Sequence, residues 1–335
     1  MSSVKRKYKV GFIGTGIMAR KHLSVITELS KKKLIPPIDI VGHLGSRIKP
    51  ALNKFGKSFT NVEEFIKTTK PDLIYLCTPP FARVIYEKYL IENNISYFVE
   101  KPTLNTEALS IIKLLGGKTK KNLVIQTGFH WRYLKFNKTL KDLFDEDSIR
   151  LVIGYRFGSL PFQNWKLDKK LSGGSVYERL IHIVDLCKYL LKGNFKIIQY
   201  TNNKSTLNKT IEPDCNIPDA EILIFKIGEV LCNVSSATYS NFNNLLELRF
   251  IGQNNIYNIC LNNNGSVELQ LIHNNHITKK YSENSEKLYK KENIYFWKSV
   301  INKDRNSIQN YKKDVELGLL LYNSVYNQKR QNYVK

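Results

Sequence analysis

The first 130 residues alternate between short apolar runs and stretches of helical periodicity. Residues 9–13, 38–43, 72–77, 95–99 and 123–126 are rich in β-branched and aromatic side chains and are bounded by glycine, proline or polar positions, which predicts strands buried on both faces. Between them the pattern predicts helices from the glycines at 14–16 through about 29, and over 62–67, 81–92 and 106–115. Thr60 and Glu63 have the spacing of a capping box, and Gly116-Gly117 closes the last of these helices. Strand and helix alternating with short connections predicts a doubly wound parallel sheet of the α/β class, whose ligands bind at the carboxyl ends of strands.

The second half changes character. After a predicted helix near 136–144, runs at 149–157, 221–227, 230–238, 245–251 and 266–272 come at hairpin spacing, which favours an antiparallel sheet. A last helix at about 314–327, apolar at Leu317, Leu320, Leu321 and Val325, is expected to pack on the body of the protein, and 202–216 is the expected mobile loop. Two domains follow, 1–127 for nucleotide binding and 128–335 of α+β type, with the C-terminal helix free to pack back on the first.

Composition adds mostly exclusions. A chain of 335 residues exceeds what one core usually serves, and 42% hydrophobic with 24% charged residues is ordinary for a globular protein. The first nine residues are polar and basic, and no apolar run approaches the roughly 18 residues that cross a bilayer, so the expected location is the cytoplasm, with no membrane partner. Five cysteines without CxxC spacing argue against a disulfide framework or a zinc cluster. His273 and His276 lack an evident third ligand, so no metal site is expected. The net charge of +23 is spread along the chain among asparagines, without a recognition module; it predicts attraction for anionic small molecules rather than nucleic-acid binding.

Candidate chemistry lies where strands end. Gly14-Thr15-Gly16-Ile17-Met18-Ala19 follows the first strand directly and has the G-x-G-x-x-A form of a dinucleotide-binding turn. Gly14 permits the turn, Gly16 lets backbone approach a pyrophosphate, and the helix N-terminus behind them favours negative charge. The second strand is followed by Leu44-Gly45-Ser46-Arg47, with no carboxylate to hold a ribose 2′-hydroxyl. Ser46 and Arg47 suit a 2′-phosphate, so NADP(H) is favoured and NAD(H) possible, unless Arg47 is a solvated loop cation. Thr78-Pro79 and Glu100-Lys101-Pro102 end two further strands and complete the expected cofactor edge. Pro102 biases Lys101 away from the α region and so aims its ammonium, as a catalyst or as an ordinary loop cation. Farther on, Gly173-Gly174 opens a helix on which His182 and Asp185 share a face; Ser175 and Glu178 have capping-box spacing.

Taken together, Gly14-Thr15-Gly16-x-x-Ala19 with His22, Thr78-Pro79-Pro80, Glu100-Lys101-Pro102, Gly128-Phe129-x-x-Arg132-Tyr133 and Gly173-Gly174 leading to His182-x-x-Asp185 resemble the glucose-fructose oxidoreductase and inositol dehydrogenase (Gfo/Idh/MocA) family over nearly the whole chain. The resemblance implies an N-terminal Rossmann domain holding NAD(P), and a C-terminal domain whose large open antiparallel sheet shapes a substrate pocket and often an interface of a homo-oligomer, a dimer or tetramer. It implies Lys101 as general acid/base, His182 and Asp185 beside it in catalysis, and Arg132, Tyr133, Trp165, Glu178, His182 and Lys101 as substrate contacts. Glu100 would position or tune Lys101, or form a structural ion pair. The expected reaction moves a hydride between nicotinamide and a secondary alcohol or ketone of a sugar, sugar phosphate, nucleotide sugar or cyclitol; the alternative is a non-catalytic NAD(P)-binding sensor on the same fold. Three residues depart from the family pattern: Arg83 replaces a usual histidine, Glu178 an aspartate and Leu180 a glycine.

Overall fold

The computed structural model describes residues 6–45, 54–103, 107–117, 122–161, 163–203, 206–238, 245–262 and 264–326. The chain divides into two compact units: Met1–His130 with Tyr289–Glu316, and Trp131–Leu288 with Leu317–Lys335.

The first unit runs β1 (Tyr8–Ile13), α1 (Ile17–Lys31), β2 (Ile38–Leu44), β3 (Lys57–Phe59), α2 (Val62–Thr69), β4 (Leu73–Leu76), α3 (Val84–Glu92), β5 (Ser96–Val99), α4 (Ala108–Gly116) and β6 (Ile125–Thr127). Among the described residues, six strands pair in parallel in the order β3-β2-β1-β4-β5-β6. The order reverses between β1 and β4, and the carboxyl ends of these two strands flank the crevice where such sheets bind ligands. Every residue of β4 and β5 is buried, as their unbroken apolar character requires. The cap of α2 is Asn61, whose side chain accepts from the Glu64 amide; Thr60 does not supply it. Asn at the position before a helix competes as well as threonine, and backbone geometry decides between neighbours.

The second unit comprises α5 (Asn137–Glu146), β7 (Leu151–Gly158), α6 (Asn164–Leu167), α7 (Lys169–Ser172), a π-helical turn (Val176–Leu180) running into α8 (Ile181–Leu190), β8 (Phe195–Asn202), α9 (Leu207–Ile211), β9 (Ala220–Ile227), β10 (Val230–Thr238), β11 (Leu245–Ile251), β12 (Ile256–Leu261), β13 (Ser266–His273) and β14 (His276–Asn284). Eight described strands form a sheet in the order β14-β13-β12-β11-β7-β10-β9-β8, antiparallel except for the β7–β10 pair. One face buries Val152, Leu223, Val234, Leu248, Ile259 and Leu269. The other leaves Ile153, Ile222, Leu231 and Leu245 exposed in matching register. Strand β14 carries no apolar stripe because seven of its nine residues are exposed and only Glu283 is buried. Its pairing with β13 fixes it instead.

Two features correct the sequence reading. The segment read as a mobile loop contains α9 and is folded around Asp219, whose carboxylate accepts the amides of Thr206 (2.9 Å), Leu207 (2.9 Å) and Asn208 (2.8 Å) and the Thr206 hydroxyl (3.1 Å). Burial pushes this carboxyl up, but the three amides and the hydroxyl outweigh it and hold it below its ordinary value. Asp219→Asn is therefore expected to lower stability by about 2 kcal/mol at pH 7. A depressed carboxyl contributes its stability above the unfolded value and loses it as pH falls through the folded one, so the difference from wild type should begin to shrink near about pH 4 and disappear only below the depressed folded value, in urea titrations carried to lower pH. A gap constant from pH 7 to pH 3 would refute this account.

The C-terminal region likewise holds more than one terminal helix. α10 (Glu286–Asn302) precedes α11 (Ser307–Tyr326), which begins earlier than its apolar stripe suggests. Leu317, Leu321 and Val325 are buried, whereas Leu320 is 46% exposed. Phe296 and Trp297 of α10 enter the first unit's core with Val10, Phe12, Tyr75 and Phe98. Among the described residues no helix is long and apolar enough to cross a membrane.

Candidate functional site

The turn after β1 is built for close approach. Gly14 has φ +89°, and a Cβ there would lie 2.8 Å from the Cys77 carbonyl oxygen, so any larger residue would push β1 and β4 apart. Its amide donates to the Leu44 oxygen at 2.8 Å, tying the turn to the end of β2. Gly16 caps α1 without a side-chain hydrogen bond, and nothing lies within 4 Å of where its Cβ would be. Thr15 and Met18 are half-buried and Ile17 is exposed beside it. The first-turn amides of a fifteen-residue helix thus face open space, the donor set that a pyrophosphate takes. At the end of β4 the Thr78 hydroxyl is buried and makes no hydrogen bond among the described residues, next to half-buried Pro79. An orphaned hydroxyl and an open glycine cradle both fit a bound dinucleotide. Ser46 and Arg47 lie outside the described residues.

Beyond β5, the backbone delivers Glu100, Lys101 and Pro102, with a cis peptide bond between Lys101 and Pro102. Glu100 is 6% exposed and its carboxylate has two partners: His22 Nε2 at 2.8 Å and the Lys101 amide at 3.2 Å. The donors fix the His22 tautomer. Tyr75 donates its hydroxyl to Asn293 Oδ1 (2.7 Å), so Asn293 Nδ2 faces the Tyr289 oxygen (2.7 Å) and His22 Nδ1 (3.1 Å). Nδ1 therefore accepts, and Nε2 carries the proton it donates to Glu100. A chain of hydrogen bonds runs from β4 through α10 and α1 to the backbone of Lys101.

Arg83, which precedes α3, is 1% exposed and donates to the carbonyls of Glu100, Pro102 (2.5 Å) and Thr78 (2.5 Å). One turn on, fully buried Glu87 accepts from the hydroxyls of Tyr97 (3.1 Å) and Tyr311. Burial pushes the Glu87 carboxyl above its ordinary value, and the Arg83 charge and the two hydroxyls only partly oppose it. Thr103 donates to the Asp314 carbonyl of α11 at 3.1 Å, so the segment after Lys101 is held from a second side. Burial, with Glu100 nearby, pushes the Cys77 thiol well up, so it stays protonated.

In the second unit the guanidinium of Arg132 forks onto Asp185, with Nε at 2.9 Å from Oδ2 and a second nitrogen on Oδ1. Asn137 fixes the Arg132 backbone by donating to the Trp131 and Arg132 carbonyls at 2.9 and 3.0 Å. His182 and Asp185 sit one turn apart on α8, 4% and 2% exposed. Glu178 does not close a capping box. Ser175 makes no side-chain cap, and its amide donates instead to Glu221 of β9 at 2.6 Å. Glu221 also accepts the Tyr200 hydroxyl at 2.6 Å, and a Cβ at Gly174 (φ +76°) would reach it at 2.9 Å. Glu178, released from capping, pairs with Lys166 at 2.7 Å beside Trp165, whose ring lies 5.4 Å from the same ammonium. Tyr133 ends the short helical turn His130–Tyr133 and is half-buried, and Leu180 is fully buried.

Sequence reasoning missed Glu87, Asn293 and Glu221 altogether and saw Arg83 only as a departure. For Glu87 and Glu221 the available signal was a charged residue inside an otherwise apolar helix or strand, which is costly unless paired; Asn293 lies in a largely polar helix that carries no such signal.

Comparison with known proteins agrees with this architecture. A model of an oxidoreductase family's NAD-binding Rossmann fold matches residues 8–128, and that family's C-terminal α/β domain matches residues 150–318. Glucose-6-phosphate 3-dehydrogenase of Bacillus subtilis is 24% identical over 245 residues, 70% of this chain and 66% of the relative. Inositol 2-dehydrogenase of Salmonella typhimurium is 24% identical over 234 residues, 67% of each chain. The chain thus spans about two thirds of the length of these relatives. Among solved structures, levoglucosan dehydrogenase with NADH and levoglucosan superposes with a TM-score of 0.78 at 14% identity, covering 96% of this chain and 98% of that one. KijD10, a 3-ketoreductase from Actinomadura kijaniata crystallised with NADP, does so with 0.76 at 12% identity, covering 95% and 97%. With both domain models matched in order over most of its length, and the glycine turn and the Glu100-Lys101-Pro102 segment at one sheet edge, the chain belongs to the Gfo/Idh/MocA oxidoreductase family.

Proposed function

We propose that this protein is an NAD(P)-dependent dehydrogenase or reductase that interconverts a secondary alcohol and a ketone on a sugar, sugar phosphate, nucleotide sugar or cyclitol. The observation that carries this reading is the placement of Lys101: it leaves β5 at the edge that holds the Gly14 turn and Thr78, on a backbone gripped by Glu100, Arg83 and α11. Gly14 to Met18, Thr78, Pro79, Glu100 and Lys101 hold the cofactor, with Ser46 and Arg47 on the 2′-phosphate. Bound there, NAD(P) supplies the hydride acceptor or donor. Lys101 takes the hydroxyl proton as the hydride leaves carbon, and returns it in the reverse direction. His182 holds the same hydroxyl, Arg132 and Asp185 fix each other beside it, and Tyr133, Trp165 and Glu178 contact the substrate. The exposed apolar face of the second unit's sheet supports a homo-oligomer, read by sedimentation mass. A cytoplasmic location fits an NAD(P)-dependent enzyme.

The test is direct. Purified protein is titrated with NADPH and NADH by fluorescence and then assayed against a panel of sugars, sugar phosphates, nucleotide sugars and cyclitols. Turnover with one class is the expected result, and binding of either cofactor without turnover on any member would favour the sensor. Arg47→Ala should weaken NADPH about 10- to 100-fold and NADH less than about threefold, because only the first carries the phosphate that a guanidinium pairs. Equal losses would remove the NADP preference.

A further inference from the structure

We infer that Arg83 is a positioning residue that locks the Lys101 segment against the end of β4. This rests on the reading of Lys101 as acid/base. The three hydrogen bonds that Arg83 donates all go to backbone carbonyls: Glu100 and Pro102, which flank Lys101, and Thr78, which ends the neighbouring strand. One planar cation thus spans the two strand ends that carry the cofactor edge and the reacting amine. A guanidinium can do this because its donors diverge in one plane; an imidazole has two ring nitrogens and an ammonium concentrates its donors at one point.

The clamp is supported as a charged element inside the protein. Arg83 is 1% exposed, and Glu87 one turn on, itself fully buried, is held by Tyr97 of β5 and Tyr311 of α11. Tyr97 lies in the same strand that delivers Lys101. The substitution of arginine for the family's histidine is thus a change in how the lysine is held, with the proton chemistry left to Lys101.

Three variants and the wild type test this: Arg83→Lys, which keeps the charge and loses the fork, Arg83→Gln, and Arg83→His. In the wild type the amides of Lys101 and Thr103 should exchange with solvent at least about 100-fold slower than in a free peptide. In Arg83→Lys and Arg83→Gln they should speed up at least about tenfold, while amides of β1 keep their wild-type protection and NADPH binds within about threefold. On a substrate found in the panel, kcat should fall about 100-fold in these two variants with KM nearly unchanged, and Arg83→His should recover part of it. Wild-type amides exchanging at the free-peptide rate, or variant amides and kcat equal to wild type, overturn the inference, and the wild-type measurement decides even if the variants do not fold. If Lys101→Ala keeps full turnover while the exchange changes appear, the clamp stands and the acid/base role falls.

Discussion

Replacing Lys101 by alanine is expected to lower kcat by about 100- to 10,000-fold while NADPH and NADH bind within about threefold of wild type. The size follows from what the amine does: without it, the alkoxide must form before hydride leaves, or the proton must go to water. Cofactor affinity should survive because, on the proposed reading, the dinucleotide is held mainly by backbone at Gly14 to Met18 and by the Thr78 hydroxyl, and the Lys101 side chain is one contact among several. The Lys101 amide still donates to Glu100 in the variant, and Arg83 still grips the flanking carbonyls, so the segment should keep its shape. Lys101→Arg should be nearly as inactive, since a guanidinium stays protonated at any working pH. Turnover of Lys101→Ala within about threefold of wild type would remove this residue from the chemistry.

Much of this edge is legible in the sequence. Five of the six described parallel strands announce themselves as short apolar runs, and Gly14-Thr15-Gly16 and Glu100-Lys101-Pro102 mark the ends of two. Local pattern suffices there because a strand buried on both faces has no polar positions to blur it. What supports the edge is not local. Asn293 meets His22 across 271 residues of sequence and Tyr75 across 218, and Tyr311 meets Glu87 across 224. The helix that carries Asn293 was invisible to periodicity for the same reason that it matters: its buried face includes Glu292 and Asn293 between Leu288 and Phe296, so the apolar stripe is interrupted where the network sits. β14 escaped because its exposed sequence reads as polar loop, and the capping box at Ser175 failed because Glu221, 46 residues on, reached the helix entrance first. Spacing rules identify which side chains can reach a backbone amide; they do not say which distant residue competes for it.

The Asn293 bridge carries the largest expected loss of stability. Asn293→Leu fits the volume but leaves the Tyr75 hydroxyl without its acceptor and His22 Nδ1 without its donor, both in a region with no solvent access. Each orphaned buried group costs about 1–3 kcal/mol, so the variant should lose about 2–5 kcal/mol in urea unfolding with an unchanged slope. A double-mutant comparison separates this from simple repacking. In the wild type, Tyr75→Phe removes the donor to Asn293 Oδ1 and should cost about 1 kcal/mol. In the Asn293→Leu background the same change removes a hydroxyl that already lacks its partner, and should be neutral or restore about 1 kcal/mol. The cost of one deletion thus disappears or reverses with the state of its partner, as hydrogen bonding requires and packing alone does not. If Tyr75→Phe costs the same in both backgrounds, the chain from Tyr75 to Glu100 is not coupled, and the Lys101 backbone must owe its position to Arg83 and α11 alone.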